Sequence, residues 1–250
     1  MLEFENSQGL EIHIQNDLPA RTGIGSSSSF SVGLIRALMT LRGFSITKHD
    51  LALQAIKLEQ ELLKEDVGSQ DQIAAAYGGI NLINFETDGE IKINPIKISN
   101  KRLRDLEQNL LLLYTGNSRL GSEISRDIIK NLSNKQRELS EMHKLVHSAI
   151  DILYCETNLK KFGELLHQAW IIKRDLSKKV SNEEIDMIYQ IALNNGAIGG
   201  KLLGAGARGF MLFFVPVEKQ ELVKKSLPQY IWIPFRFENS GSTIIKLSPI

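Results

Sequence analysis

The chain has 250 residues, of which 42% are hydrophobic and 24% charged, and its formal net charge is +1. This composition is typical of a globular protein with a buried core, and the small net charge argues against a nucleic-acid-binding protein, whose surface usually carries a basic excess. The single cysteine excludes an intrachain disulfide, and no apolar run approaches the roughly 18 residues of a membrane span. We therefore expect a cytoplasmic protein that contacts neither nucleic acid nor membrane.

Hydrophobic periodicity in the first part of the chain predicts both strands and helices. Apolar residues alternate with polar ones over residues 10–14, which indicates a strand, and Thr47 with Asp50 forms a capping box that indicates a helix start. The other predicted elements here are a helix near 32–39, the capped helix up to about Leu63, a short helix at 70–77, and a β-hairpin at 80–85 and 91–96.

The second part of the chain contains a different mixture of predicted elements. A buried strand at 110–114 precedes three or four helices between residues 122 and 195, one of them begun by a capping box at Ser181–Glu184. Gly196 then suits a helix C-terminus, and a strand at 210–215, a helix near 218–227 and strands at 230–237 and 242–247 follow. Because strands and helices do not alternate regularly, we predict an α+β fold.

A glycine- and serine-rich loop, residues 19–29, precedes the first predicted helix. Its glycines allow close backbone approach to a ligand, and the free N–H groups of a helix start favour an anionic phosphate. Serine hydroxyls could add hydrogen bonds or ligate a cation shared with the phosphate. The alternative is a serine N-cap with no ligand, and the Walker pattern is absent.

Acidic residues form a second candidate, between residues 59 and 72. Glu59 and Glu61 lie on opposite flanks of the apolar stripe of one helix, so only one of them is expected to face a given site. Asp71 lies in the first turn of the next helix, where it is either a capping acid or a proton-accepting group.

A third candidate is the glycine-rich loop Gly204–Gly209. It satisfies the G-x-G-x-x-G spacing, but a helix precedes it and a strand follows it, which is the reverse of the dinucleotide-binding order. It is therefore either a loop close to phosphate or a tight turn.

His143 and His147 stand four residues apart, as metal ligands can, yet a surface pair is the preferred interpretation. Arg119 follows the 110–114 strand and could bind a phosphate, although by itself a solvated loop arginine is the preferred interpretation.

The order of these segments resembles the GHMP small-molecule kinases. The sequence runs from Pro19 through Gly-Ile-Gly-Ser-Ser-Ser, then Gly68-Ser-Gln-Asp-Gln, then Lys201-x-x-Gly-Ala-Gly-x-x-Gly. Within that superfamily it is most similar to the D-glycero-D-manno-heptose 7-phosphate kinases. The resemblance implies a two-domain fold, a ribosomal-S5-like domain at 1–98 and a ferredoxin-like domain at 99–250, with ATP in the cleft between them.

The resemblance also implies roles for individual residues. Asp71 would accept the proton of the attacking sugar hydroxyl, and Ser27 and Glu59 would bind Mg²⁺ with Glu61 as the alternative. Apart from the resemblance, the place of Arg119 in a loop at a strand end predicts that it contacts a phosphate of the substrate. The residues expected to surround the ATP phosphates are Pro19, Gly23, Ile24, Gly25, Ser26, Ser27 and Ser28 from the first loop, with Gly204, Ala205, Gly206 and Gly209 from the second.

Departures from the family pattern accompany this resemblance. Nothing before residue 16 matches the earlier glycine-rich motif of the relatives, so we expect a shortened first domain with open sheet edges, which favour association with a second copy. Arg21 and Arg208 stand where these loops often carry small residues. The implied activity is phosphorylation of the anomeric hydroxyl of a heptose 7-phosphate for surface polysaccharide synthesis. The alternatives are a fucose- or uronate-type 1-kinase, or a silent chain that binds a nucleotide or a partner.

Overall fold

A computed structural model describes residues 9–19, 22–116, 121–155 and 158–246 as a combination of helices and antiparallel strands, which confirms the α+β prediction. Within these ranges no helix combines the length and the apolar character needed to cross a membrane. The helices are α1 (Ser26–Leu41), α2 (Lys48–Lys57), α3 (Gln70–Tyr77), α4 (Asn100–Gln108), α5 (Gly121–Asn131), α6 (Gln136–Tyr154), α7 (Lys160–Asp175), α8 (Glu183–Asn194) and α9 (Gln220–Ser226). The strands are β1 (Asn81–Phe85), β2 (Ile91–Pro95), β3 (Leu110–Tyr114), β4 (Gly199–Leu202), β5 (Phe210–Phe214) and β6 (Ile231–Ile233).

One hydrophobic core joins α1, α2 and α3 to the β1–β2 hairpin. Val32 and Ile35 of α1 pack with Leu51 of α2 and Ile73 of α3, and Ile83 covers them from the hairpin. The Thr47 side chain accepts a hydrogen bond from the Asp50 backbone N–H, so α2 begins as the capping box predicts. After Lys57 the helix widens into a π-helical turn, Leu58–Leu62, which carries Glu59.

The larger sheet lies in the second part of the chain and has the order β4-β5-β3-β6, with every neighbouring pair antiparallel. One of its cores contains Trp170, Tyr189 and Phe213, and a second contains Leu166 and Phe214. Helix α7 lies directly on β4, where a Cβ added to Gly199 would overlap the carbonyl oxygen of Gly163. This close contact requires glycine in the strand, and it fixes the end of α7 beside the loop that follows β4.

Several predicted elements are wrong or incomplete. Residues 10–14 form no strand, and Leu10, Ile12 and Ile14 are exposed, because no strand among the described residues pairs with them. The 230–237 strand shortens to β6, and the described residues of the predicted 242–247 strand form none. Asn182, rather than Ser181, caps α8 by accepting from the Ile185 N–H.

The C-terminal segment crosses back to the first core and packs against the end of α3. The Lys48 Nζ donates to the carbonyl oxygens of Tyr77 and Ser240, at 2.8 Å each. Gly78, with φ +66°, lies so close to Gly241 that a Cβ on either would overlap the other's backbone. Contacts distant in sequence therefore hold the two parts of the chain together at a second place besides the glycine loops described below.

Candidate active site

The turn that precedes α1 presents a helix start without a side-chain cap. Gly23 and Gly25 have φ values of +79° and +72°, a conformation that favours glycine. Gly25 is the N-cap residue, so no side chain bonds the first N–H groups of α1, and the first turn contains no acidic residue. The geometry matches an anion-binding helix start, because both the N–H groups and the positive end of the helix dipole remain available.

The second glycine loop, Gly204–Gly209, packs against this turn. A Cβ added to Gly204 would lie 2.5 Å from the Cα of Gly23, and one added to Gly209 would overlap the carbonyl oxygen of Thr22. Gly204 and Gly209 have φ values of +65° and +130°. Two loops about 180 residues apart in sequence thus meet backbone to backbone, as expected for segments that face one cleft.

The middle of the second loop faces the other way. Gly206 is buried against Val180, in the connection between α7 and α8, and Ala205 packs on the core beneath the sheet. Arg208 forms an ion pair with Glu184 of α8, with 2.5 Å between Nη2 and Oε2. The structure therefore brings Gly204 and Gly209 to the α1 turn and leaves Gly206, Ala205 and the Arg208 charge outside that contact.

Thr115 anchors the second loop and was not singled out from the sequence by itself. Its buried hydroxyl accepts from the Gly209 N–H at 3.0 Å and donates to the Gly209 carbonyl at 3.1 Å. The Thr115 N–H also donates to that carbonyl at 2.8 Å. The only sequence signal is its place at the end of strand β3, where loops commonly carry functional residues.

Replacing Thr115 with valine is expected to lower the free energy of unfolding by about 1–3 kcal/mol, because the buried Gly209 N–H loses its acceptor. The same change is expected to weaken ATP binding by loosening the loop. Thr115→Ser keeps the hydroxyl and serves as the control. Urea denaturation of the two variants measures the difference, and equal stability would show that the hydroxyl does not anchor the loop.

Asp71 lies directly beside the α1 turn. A Cβ added to Gly25 would be 3.2 Å from the Cβ and Cγ of Asp71 and 3.3 Å from its Oδ2, so glycine allows the carboxyl group to approach the helix start. Burial raises the pKa of Asp71, a hydrogen bond from Gln70 opposes this, and the charge of Glu59 raises it further. A carboxyl group with a raised pKa next to an anion-binding turn is suited to accept a proton from a bound hydroxyl.

Glu59 is completely buried and connects three elements. Its Oε2 accepts from the Ser28 hydroxyl at 2.9 Å and from the Gln72 amide, and its Oε1 accepts from the Ser31 hydroxyl at 2.8 Å. Glu61 is exposed, so of the two candidates it is Glu59 that faces Asp71. These partners are 13 to 31 residues away in sequence, and no sequence pattern identifies them.

Replacing Glu59 with glutamine is expected to lower the pKa of Asp71, because the negative charge that raises it is removed. The raised pKa of Asp71 means that the free energy of unfolding falls as pH rises from the unfolded-state pKa through the folded-state pKa. In the Glu59→Gln variant, the pH interval over which the free energy of unfolding falls becomes narrower. Carboxyl ¹³C NMR titration of Asp71 in both proteins measures the shift, and an unchanged midpoint would contradict the coupling between the two carboxyl groups.

The oxygen donors around this turn fit a divalent cation such as Mg²⁺. Glu59 is close enough for its charge to raise the pKa of Asp71, a repulsion that a cation would relieve. The described residues contain no cluster of three or more acidic, histidine or cysteine ligands. Mg²⁺ in phosphate-transferring sites typically needs only one or two carboxylates together with substrate phosphates, so this donor set is sufficient.

The remaining candidates occupy different positions. Pro19 is exposed, and its carbonyl accepts from the Thr22 hydroxyl at 3.0 Å; Ile24 and Ser26 are partly buried, and Ser27 is exposed at the start of α1. Arg21 and Arg119 lie outside the described residues. The rings of His143 and His147 are 4.9 Å apart on α6, outside the contacts described above.

Comparison with known proteins adds an independent line of evidence. Residues 1–79 match the GHMP kinases N terminal domain, and residues 146–230 match the GHMP kinases C terminal domain. The chain belongs to the GHMP kinase family. Members of this family use ATP as the phosphate donor. The α1 turn and Asp71 lie within the first matched segment, and the Gly204–Gly209 loop lies within the second.

Individual GHMP kinases resemble the chain over most of its length. It is 33% identical to the D-glycero-alpha-D-manno-heptose 7-phosphate kinase of Campylobacter jejuni, over 85% of this chain and 63% of that protein. It is 26% identical to the galactokinase of Pyrococcus furiosus, over 90% of this chain and 71% of that protein. The solved structure of Methanococcus jannaschii mevalonate kinase shares the fold, with a TM-score of 0.69 at 23% identity, covering 89% of this chain and 66% of that one. The chain thus spans less than two thirds of the length of its heptose kinase relative.

Proposed function

We propose that the chain is an ATP-dependent sugar kinase that phosphorylates the anomeric hydroxyl of D-glycero-D-manno-heptose 7-phosphate. One observation carries the proposal: the α1 turn touches both the Gly204–Gly209 loop and the Asp71 carboxyl group. An anion-binding turn and a proton acceptor thereby share one site. Phosphoryl transfer needs this combination, because it depends on positioning and charge stabilisation rather than on a covalent intermediate.

In this proposal the two loops hold the ATP phosphates. The uncapped N–H groups at the start of α1 donate to phosphate oxygens, with the Ser26 and Ser27 side chains beside them. The Ser28 hydroxyl is buried and donates to Glu59, so Ser28 contributes its backbone N–H and not its side chain. Gly204 and Gly209 limit the space from the opposite side, since any side chain there would displace the α1 turn. The contact between the loops limits where the phosphates can lie.

Asp71 would act as the general base. It takes the proton from the anomeric hydroxyl as the hydroxyl oxygen attacks the γ-phosphorus, and the bond between that phosphorus and the ADP oxygen breaks. Burial beside Gly25 raises the pKa of Asp71 above the ordinary value and so strengthens the carboxylate as a base. Glu59 holds α3 and α1 in register through Gln72 and Ser28, which keeps Asp71 at the helix start.

Ser27 and Glu59 are the residues that would hold Mg²⁺. The metal would neutralise the charge of the phosphates when bound. Three hydrogen bonds occupy three of the roughly four acceptor positions of the Glu59 carboxylate, so its Oε1 keeps one position for a metal. The Ser27 hydroxyl is exposed beside the α1 turn.

The choice of sugar rests on the Campylobacter jejuni relative, whose name specifies a heptose 7-phosphate. Arg119 is our candidate for the distal phosphate of that sugar, because a guanidinium group can bind phosphate through two parallel hydrogen bonds. Because the chain is also similar to a galactokinase, other sugars are included as comparison substrates.

The test is ³¹P NMR of the purified chain with ATP and Mg²⁺, using D-glycero-D-manno-heptose 7-phosphate, fucose, glucuronate and galactose as separate acceptors. We expect a new anomeric phosphate signal, with ADP formed in equal amount, for the heptose phosphate alone. A phosphate signal with another sugar would change the substrate that we assign and would leave the proposed kinase activity intact. Bound ATP with no transfer to any acceptor would instead indicate a silent nucleotide-binding chain.

A further inference from the structure

Two lysines, one on α7 and one on β4, lie where α7 ends beside the Gly204–Gly209 loop. The Lys173 Nζ donates to the carbonyl oxygens of Leu202 at 2.9 Å and Gly204 at 2.6 Å. Lys201 lies on β4, and its position in the strand places it on the same face as Gly199, the residue that packs against α7. Both lysines are only partly exposed, and they extend from the two elements that meet at this loop.

No acidic side chain among the described residues compensates this pair. Lys201 forms no hydrogen bond or ion pair there, and Lys173 bonds only to carbonyl oxygens. Asp175 lies two residues further along α7, on a different side of the helix. The other nearby acids already have partners: Asp127 with Ser177 and Lys179, Asp186 with Arg174 and Ser181, and Glu184 with Arg208 and Tyr230.

The charge of Lys201 acts on the ammonium group of Lys173. Burial, followed by the positive charge of Lys201, lowers the pKa of Lys173 to about 7, and burial lowers that of Lys201. Two buried like charges without a counter-ion are unfavourable for folding, and such arrangements are concentrated at functional sites. An anion between them would relieve both the burial penalty and the repulsion.

We propose that Lys173 and Lys201 form an anion subsite that binds a phosphate group of a ligand in the kinase site. Lys173 reaches the carbonyl of Gly204, whose Cα borders Gly23, so the subsite joins the cleft at the loop contact. Lysine ammonium groups bind phosphate as point charges, and with two of three Lys173 donors used, one remains together with those of Lys201. The phosphate belongs either to the nucleotide or to the sugar phosphate, and this identification of its source rests on the proposed function.

Lys201→Met is the test variant, because methionine fills similar space without the charge. Lys201→Arg keeps a positive charge, and Lys225→Met removes an exposed lysine from α9 as the matched control. Lys173 is left unchanged, since its bonds to two loop carbonyls also support the loop. The first readout is the melting temperature in increasing inorganic phosphate at constant ionic strength. The second is calorimetric affinity for ATP, for D-glycero-D-manno-heptose 7-phosphate and for the unphosphorylated heptose.

We expect inorganic phosphate to raise the melting temperature of the wild-type protein and of Lys225→Met, and to raise that of Lys201→Met by less, because phosphate can still bind at the α1 turn. One of the phosphorylated ligands should bind Lys201→Met about tenfold more weakly than it binds the wild type, equivalent to about 1.4 kcal/mol. The affinity of Lys201→Arg should lie between those of the wild type and Lys201→Met. Weaker ATP binding would assign the subsite to the nucleotide, and weaker heptose phosphate binding alone would assign it to the sugar.

Two results would overturn the subsite. One is a wild-type protein whose melting temperature does not respond to phosphate, and the other is a Lys201→Met protein that responds as the wild type does. Failure of the proposed function would give another result, in which the wild-type protein binds neither ATP nor the heptose phosphate. The effect of inorganic phosphate on the melting temperatures of the wild type and of Lys201→Met would still test the subsite. The two claims are therefore tested separately.

Discussion

Replacing Asp71 with asparagine is expected to lower kcat by a factor of about 10²–10⁴, the usual contribution of a general base. Asparagine keeps the shape of the side chain beside Gly25 but cannot accept the proton of the sugar hydroxyl. ATP affinity should change little, because the uncapped start of α1 holds the phosphates in our proposal. Steady-state kinetics together with calorimetric ATP binding separate the two effects.

The control for this substitution is Asp151→Asn, which removes an exposed carboxylate from α6. It is expected to leave kcat unchanged. If Asp71 were only a capping acid at the start of α3, Asp71→Asn would shift the free energy of unfolding by about 0.5 kcal/mol and leave turnover intact. Turnover close to that of the wild type in a folded Asp71→Asn protein would therefore eliminate Asp71 as the base.

Replacing Gly204 with alanine is expected to separate the two glycine loops. The added Cβ would lie 2.5 Å from the Cα of Gly23 and 2.9 Å from its carbonyl oxygen, and the φ of +65° is unfavourable for any residue with a side chain. Combining backbone strain with overpacking gives an expected loss of about 2–4 kcal/mol in the free energy of unfolding. ATP affinity should fall as well, because the α1 turn is displaced.

Gly33→Ala is the matched control for the glycine substitution. Gly33 lies in α1, a Cβ there would meet nothing within 4 Å, and alanine favours the helix by up to about 1 kcal/mol. We expect this variant to be as stable as the wild type or more stable, with normal ATP binding. Equal stability and ATP affinity in Gly204→Ala and Gly33→Ala would contradict the loop contact.

Local sequence signals predicted most elements, and tertiary context determined the rest. The Thr47 cap of α2 and the β1–β2 hairpin follow from periodicity and turn residues, as do three or four helices in the region that holds α5–α8. Helix α4 was missed, although Ser99 caps it, because its first turns are highly charged. Strand β4 was missed because its glycines suggest a loop, whereas they are needed for contact with α7. The domain boundary at residue 98 stays a prediction.

The candidate site shows the same division. Glycine spacing predicted that the two glycine loops come together, because a close backbone approach requires glycine, whereas the role of Asp71 stays a prediction. The sequence could not show that Gly206 faces Val180 or that Thr115 anchors Gly209. It also could not show that Glu59 accepts hydrogen bonds from the side chains of Ser28, Ser31 and Gln72. These contacts depend on how separate elements pack, and a single sequence contains no record of such pairs.

The central claim is that the α1 turn, the Gly204–Gly209 loop and Asp71 form one phosphate-binding and proton-accepting site. The most direct measurement is a crystal structure of the chain with a non-hydrolysable ATP analogue and Mg²⁺. Our account predicts the β- and γ-phosphates at the N–H groups of Ser26–Ser28, with the Gly204–Gly209 loop on the opposite side and the γ-phosphate facing Asp71. A triphosphate bound elsewhere, with the α1 turn empty, would contradict it.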